Sequence, residues 1–278
     1  MADLTDGESN TEWATAADGY RISIRRFTSE EPKASILMLH GVVSHSEWLA
    51  PLARPLADLG YDVICPDRRG AGLNAEAPGD APDLQTLVDD VEMLVERVCQ
   101  SGLPVHLCGF CWGASYAIHC VERLQERLDS LLLLAPSVFP AADLAGAELV
   151  VGPSPEPTEI PIVPIDLFTS GPAFKEYIEP DPLRTRVVSP RFNGIMAQAT
   201  SMLAIRWQRL KLPTLVVLPR DDGISDTGKH ISAFERLRAT PKELVVVPGW
   251  HGLQFDAPKE TIEAITHWLT GNPSQTKE

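Results

Sequence analysis

Val105-His106-Leu107-Cys108-Gly109-Phe110-Cys111-Trp112-Gly113-Ala114-Ser115 is the stretch on which the reading of this chain turns. Its first half is apolar and suits a short buried strand; its second half opens a run of small residues with helical character to about residue 124. Between them a cysteine stands with a glycine two positions to either side. That spacing fits a sharp strand-to-helix turn, in which the central residue takes a strained backbone and the glycines remove Cβ clashes. Such a turn lifts the side chain to the carboxyl edge of a sheet and sets a helix N-terminus behind it. Cys111 is therefore the candidate nucleophile, and the Trp112 amide a candidate to hold anionic charge.

Working outward, short apolar runs alternate with amphipathic stretches: a strand over residues 35–40, a helix over 47–59, a strand over 61–65, a helix over 84–100, then the central strand and helix, then a strand over 130–136. The order βαβαβαβ implies a parallel sheet with helices on both faces. Residues 12–27 read as a hairpin around Asp18-Gly19. The alternation resumes with strands over 214–218 and 243–247 and helices over 228–238 and 259–269. Between residues 137 and 209 the texture changes, with Pro153, Pro155, Pro157, Pro161 and Pro164 followed by helical pieces such as 195–206. Prolines exclude central strands there. An insertion leaving the carboxyl edge lies where ligands bind, so residues 137–209 are expected to form a lid, with 1–136 and 210–278 forming the core.

The strand over 214–218 ends in Arg220-Asp221-Asp222-Gly223, and the strand over 243–247 ends in Gly249-Trp250-His251-Gly252. A carboxylate and a histidine thus follow successive strand ends, in the chain order nucleophile, acid, histidine. Asp221 and Asp222 cannot both face the histidine, and Asp143 and Asp166 are acids that a rearranged site would use instead.

Composition narrows the partners. A net charge of −14 repels phosphate backbones and anionic membranes, so no nucleic acid is expected. No apolar run approaches the ~20 residues of a membrane span, and the acidic start lacks the pattern of a secretory signal, which makes the cytoplasm the default location. Five cysteines, an odd count without paired spacing, indicate reduced thiols, and neither a metal nor another cofactor is expected.

The segment Leu39-His40-Gly41-Val42-Val43, the turn Asp67-Arg68-Arg69-Gly70-Ala71-Gly72, the cysteine turn, the acid turn and the histidine turn together resemble the α/β-hydrolase superfamily over about residues 15–270. Within it, the run over 160–169, Asp181-Pro182-Leu183 and the run from Asp222 to Thr227 resemble monoacylglycerol lipase or lysophospholipase-like members. The resemblance implies a mostly parallel twisted sheet flanked by helices, a Cys111–His251–Asp222 triad, and an oxyanion hole from the Val42 and Trp112 amides. It selects Asp222 over Asp221, because the acid there precedes a small residue and then an aliphatic one. His45 and Trp48 follow the oxyanion loop and are candidates to line an acyl pocket, though surface and core positions fit them equally. His40 is expected to be structural.

Members of that branch usually carry serine where this chain has Cys111, which turns the expectation away from simple carboxylester hydrolysis. A cysteine beside a histidine at a helix N-terminus ionises readily, and its acyl-enzyme is itself a thioester. The chemistry expected is acyl transfer from a small-molecule ester or thioester, the latter carried on coenzyme A or an acyl carrier protein. Water is the first acceptor considered; an alcohol, an amine or an internal carbon, as in a chain-releasing cyclase, is the second. A binding protein that has kept the fold without the chemistry is the third reading.

Overall fold

A computed structural model describes residues 10–74, 76–141, 156, 158–159 and 165–271. Eight strands form one sheet in the spatial order β1-β2-β4-β3-β5-β6-β9-β10. The hairpin β1 (Asn10–Thr15) and β2 (Arg21–Phe27) is antiparallel, and β2 joins β4 (Tyr61–Pro66) antiparallel. From there β3 (Ala34–Leu39), β5 (Val105–Phe110), β6 (Ser130–Leu134), β9 (Thr214–Pro219) and β10 (Lys242–Val247) run parallel. This is the α/β-hydrolase fold that the alternation implied.

Strands β4, β3, β5, β6 and β9 are buried along their whole length, and their side chains divide by strand parity. Leu37, Leu39, Leu107, Leu131 and Leu133 face one core with α2 (Leu84–Cys99) and α3 (Trp112–Leu124). Ile36, Met38, Cys108, Phe110, Leu132 and Leu134 face the other, with α1 (Ala50–Asp58). Because each inner strand is apolar on both sides, a one-residue slip in register would exchange the two cores, and the unlike helices on either face forbid it.

The described part of the segment between β6 and β9 contributes to the core. A two-stranded ribbon pairs β7 (Thr158–Glu159) with β8 (Val187–Val188). Two short helices, α4 (Ile165–Phe168) and α5 (Pro172–Ile178), precede a 20-residue helix, α6 (Pro190–Arg209). Ser189 caps α6 by accepting from the Phe192 amide at 3.0 Å, and Pro190 sits at its first turn. Phe192, Ile195, Ala199, Leu203 and Trp207 are buried along one side of α6 and join the core around α3. Part of the expected lid is thus structural core. The named prolines 153, 155, 157, 161 and 164, and Asp143, lie outside the described residues. After β9 come α7 (Thr227–Glu235), α8 (Leu253–Asp256) and α9 (Pro258–Gly271).

Candidate active site

Cys111 joins β5 to α3 with φ +57° and ψ −124°, a region costly for a residue with a Cβ. The two flanking glycines make the turn possible. A Cβ on Gly113 would lie 2.3 Å from the Leu39 carbonyl oxygen, and one on Gly109 would lie 2.4 Å from that of Gly113. The elbow is pinned from behind, where the Cys111 amide donates to Leu134 O at 3.0 Å. In front, Gly41 brings the loop after β3 so close that a Cβ there would lie 3.2 Å from Cys111 Cβ.

The acid and the histidine leave β9 and β10, adjacent strands at the same edge. His251 Nδ1–H donates to both carboxylate oxygens of Asp222, at 3.0 and 2.9 Å. Asp222 Oδ1 also accepts the Ile224 and Ser225 amides at 2.8 and 2.9 Å, which fixes its rotamer. Asp221 is exposed and uses its backbone amide to bind Gly249 O. Asp166 points away, paired with Lys175. The structure therefore brings Cys111, His251 and Asp222 together and leaves Asp221 and Asp166 aside.

Burial alone would hold His251 neutral, but the Asp222 carboxylate and the Cys111 thiolate outweigh it and raise its pKa to about 10. Burial likewise opposes ionisation of Cys111, yet the net shift is downward, through the His251 charge and hydrogen bonding, the Ser137 hydroxyl and the Trp112 amide. His251 Nε2 is buried without a hydrogen-bond partner among the described residues, and the Cys111 thiol is the ionisable group whose charge it feels beside Asp222. Burial pushes the thiols of Cys65, Cys108 and Cys120 well above the ordinary value, and raises Cys99 as well. Iodoacetamide near neutral pH is accordingly expected to alkylate Cys111 first. The rate should fall as pH drops through the thiol pKa and reach its plateau below the ordinary thiol range. Peptide mapping across a pH series reads both, and alkylation spread evenly over the cysteines would contradict it.

Behind the candidate oxyanion loop, His40 is a strut. Its Nδ1–H donates to Gly41 O at 2.7 Å and its Nε2 accepts the Arg68 amide at 2.9 Å. Burial and the nearby Arg68 charge lower its pKa to about 4, so it stays neutral. Val42 is partly exposed beside the elbow, with its carbonyl turned back to Arg68 Nη2 at 3.1 Å.

His45 and Trp48, candidates for an acyl pocket, are each 1% exposed. Both bind Asp181 Oδ2, at 2.7 and 2.6 Å, while Asp181 Oδ1 accepts the Leu183 amide. As placed, they tie the loop before α1 to the segment between α5 and β8. Asp181→Ala would strand two buried donors and is expected to lower stability by about 1–3 kcal/mol. Thermal unfolding should show that loss while folded protein keeps an alkylatable Cys111.

Three contributors carried no sequence signal. Ser137 Oγ lies 3.4 Å from Cys111 Sγ. Phe168 packs on the His251 imidazole with ring centres 5.8 Å apart, beside Phe110 at 5.6 Å, the two phenyl rings being themselves 6.1 Å apart edge to face. Asp256 accepts Thr169 Oγ1 at 2.5 Å and the amides of Ser170 and Trp250, clamping the histidine loop to the chain after α4. Apart from the local Trp250–Asp256 bond, each pairing joins residues far apart in sequence, within elements whose patterns describe only packing.

A mostly parallel sheet carrying a strained elbow, with acid and histidine turns at successive strand ends, defines an α/β-hydrolase. The chain belongs to the Hydrolase_4 family (serine aminopeptidase, S33), whose model matches residues 30–258. Phospholipase YtpA of Bacillus subtilis (strain 168) is 27% identical over 240 residues, spanning 82% of this chain and 90% of that protein. A soluble variant of the monoglyceride lipase from Saccharomyces cerevisiae superposes with TM-score 0.84 at 17% identity, over 99% of this chain and 97% of that one. The thioesterase domain from the curacin biosynthetic pathway superposes with TM-score 0.68, also at 17% identity, over 94% and 100%. At such identities the two structural likenesses establish the shared fold. Among the described residues, no helix is long and apolar enough to cross a membrane.

Proposed function

We propose that the protein is an acyl-transferring hydrolase in which Cys111 takes up an acyl group from an ester or thioester and water removes it. The observation that carries this reading is the contact chain Asp222–His251–Cys111, with the histidine raised to about 10 and the thiol lowered. The Cys111 thiolate attacks the acyl carbonyl carbon, and the resulting oxyanion is held by the Val42 and Trp112 amides. Imidazolium His251 gives its Nε2 proton to the departing alcohol or thiol, leaving a thioacyl-enzyme. Neutral His251 then takes a proton from water, whose oxygen attacks the thioester; collapse releases the acid and restores the thiolate. Asp222 keeps Nδ1 protonated throughout. Residues 137–209 act as the lid in this reading, and a reducing cytoplasm suits the five free thiols.

A second reading, transfer to an alcohol, amine or internal carbon, draws on one feature: the adjacent Phe110 and Phe168 rings pack on the His251 imidazole, an apolar wall that disfavours water as the acceptor. For either reading the acyl donor is a small-molecule ester or a coenzyme A or carrier-protein thioester. Incubation with a panel of acyl esters and acyl-coenzyme A thioesters, with quantification of free acid against transferred or cyclised product, separates them. Free acid as the sole product supports hydrolysis; product that persists only with an added nucleophile supports transfer; no consumption of any donor would contradict both.

A further inference from the structure

Arg68 is 7% exposed, and the described residues offer its guanidinium no carboxylate partner. Its neighbour in the same turn behaves as buried arginines usually do: Arg69 binds Asp90 and Asp18. Arg68 instead turns its two terminal nitrogens to carbonyls, while its buried Nε has no hydrogen-bond partner among the described residues. Nη2 binds Val42 O at 3.1 Å and Nη1 binds Arg69 O at 2.9 Å. Its backbone amide binds His40, which in turn holds Gly41 O. Two successive carbonyls of the loop facing Cys111 are thus fixed, one directly and one through His40, by a single residue.

Aromatic rings pack against the guanidinium. Its centre lies 5.5 Å from the Trp112 ring and 4.3 Å from that of Phe192, the latter on α6. Trp112 supplies the second candidate oxyanion amide, and Phe192 belongs to the segment between β6 and β9. Arg68 therefore touches the oxyanion loop, the residue after the nucleophile and the long inserted helix at once. A peptide carbonyl held from behind fixes the plane of its own peptide, so the held Gly41 O orients the Val42 N–H and the held Val42 O orients the Val43 N–H at the next link of the loop.

We propose that Arg68 is the positioning residue of the oxyanion hole, holding the Val42 and Trp112 sides at one spacing and seating them against α6. The inference rests on the acyl-enzyme reading above, and its consequence is specific. Acylation of Cys111 passes through an oxyanion and needs the hole, whereas alkylation by iodoacetamide displaces iodide without forming one. Losing Arg68 should slow the first and spare the second.

The test compares wild type, Arg68→Met and Arg68→Lys, using a p-nitrophenyl acyl ester for single-turnover acylation and iodoacetamide for alkylation across pH. For Arg68→Met, acylation is expected to fall about 10-fold or more, short of the roughly 10²–10³ that follows deletion of an oxyanion donor. The alkylation profile should remain that of the wild type. Arg68→Lys, which retains a charge able to reach one carbonyl, should recover part of the loss. Removing an unpaired buried charge into an apolar side chain need not destabilise the fold, and thermal unfolding of both variants checks this. Acylation unchanged in Arg68→Met, or acylation and alkylation reduced alike, would overturn the proposal. If wild type itself is alkylated at Cys111 but never acylated, the acyl-enzyme reading fails instead.

Discussion

Replacing Cys111 by alanine is expected to lower kcat by about 10⁴–10⁶-fold on any acyl donor the wild type accepts, with the fold intact. The magnitude follows from the elbow. No other side chain stands in the strained turn beneath His251, and Ser137, although 3.4 Å from the thiol, contributes no turn that would aim it at a substrate held in the same hole. Alanine relieves none of the packing that Gly109, Gly113 and Gly41 accommodate, so thermal stability should change little. Steady-state turnover with the best donor from the ester and thioester panel measures the loss. A Cys111→Ala protein that keeps its turnover would remove the covalent mechanism, and one that keeps a biological role without turnover would favour a binding protein.

Asp222→Asn is expected to cost roughly 10⁴-fold in kcat, because an amide at that place no longer enforces the Nδ1–H tautomer. Its effect on pH has a determined sign. Burial pulls the His251 pKa down, and the Asp222 charge is foremost among the groups that lift it to about 10. Without that charge the imidazolium is lost at lower pH, the thiolate loses its counter-charge, and burial reasserts itself on the thiol. The alkylation midpoint of Cys111 should therefore move upward in Asp222→Asn. An unmoved midpoint would mean that Asp222 orients the ring without supporting its charge.

The sequence and the structure agree most closely where a local rule dictates the geometry. Gly109 and Gly113 announce the elbow because any Cβ there collides with backbone. The choice of Asp222 over Asp221 rested on the turn register, and the same register delivers Ile224 and Ser225 amides to its carboxylate. His45 and Trp48 illustrate the opposite case. Their nearness to the oxyanion loop fitted a pocket, a core and a surface position equally, and their partner Asp181 lies 136 and 133 residues away, a pairing that no local pattern encodes. The same holds for Phe168 against His251 and for Asp256 against Thr169. In α6, the buried stripe from Phe192 to Trp207 was visible as helix, while its packing along α3 depended on the topology of the sheet.

The role of cysteine follows from the environment rather than from its identity alone. Three cysteines in this chain are buried beyond easy ionisation, and the one at the elbow is the one drawn toward thiolate by a histidine. That contrast makes one measurement decisive for the central claim, that Cys111 carries the acyl group. Intact-mass spectrometry after brief exposure to a p-nitrophenyl acyl ester or an acyl-coenzyme A, followed by peptide mapping, should find a single added acyl group, on Cys111 and labile to hydroxylamine, and none in Cys111→Ala. An adduct on another residue, or no adduct with any activated donor while Cys111 remains alkylatable, would contradict it.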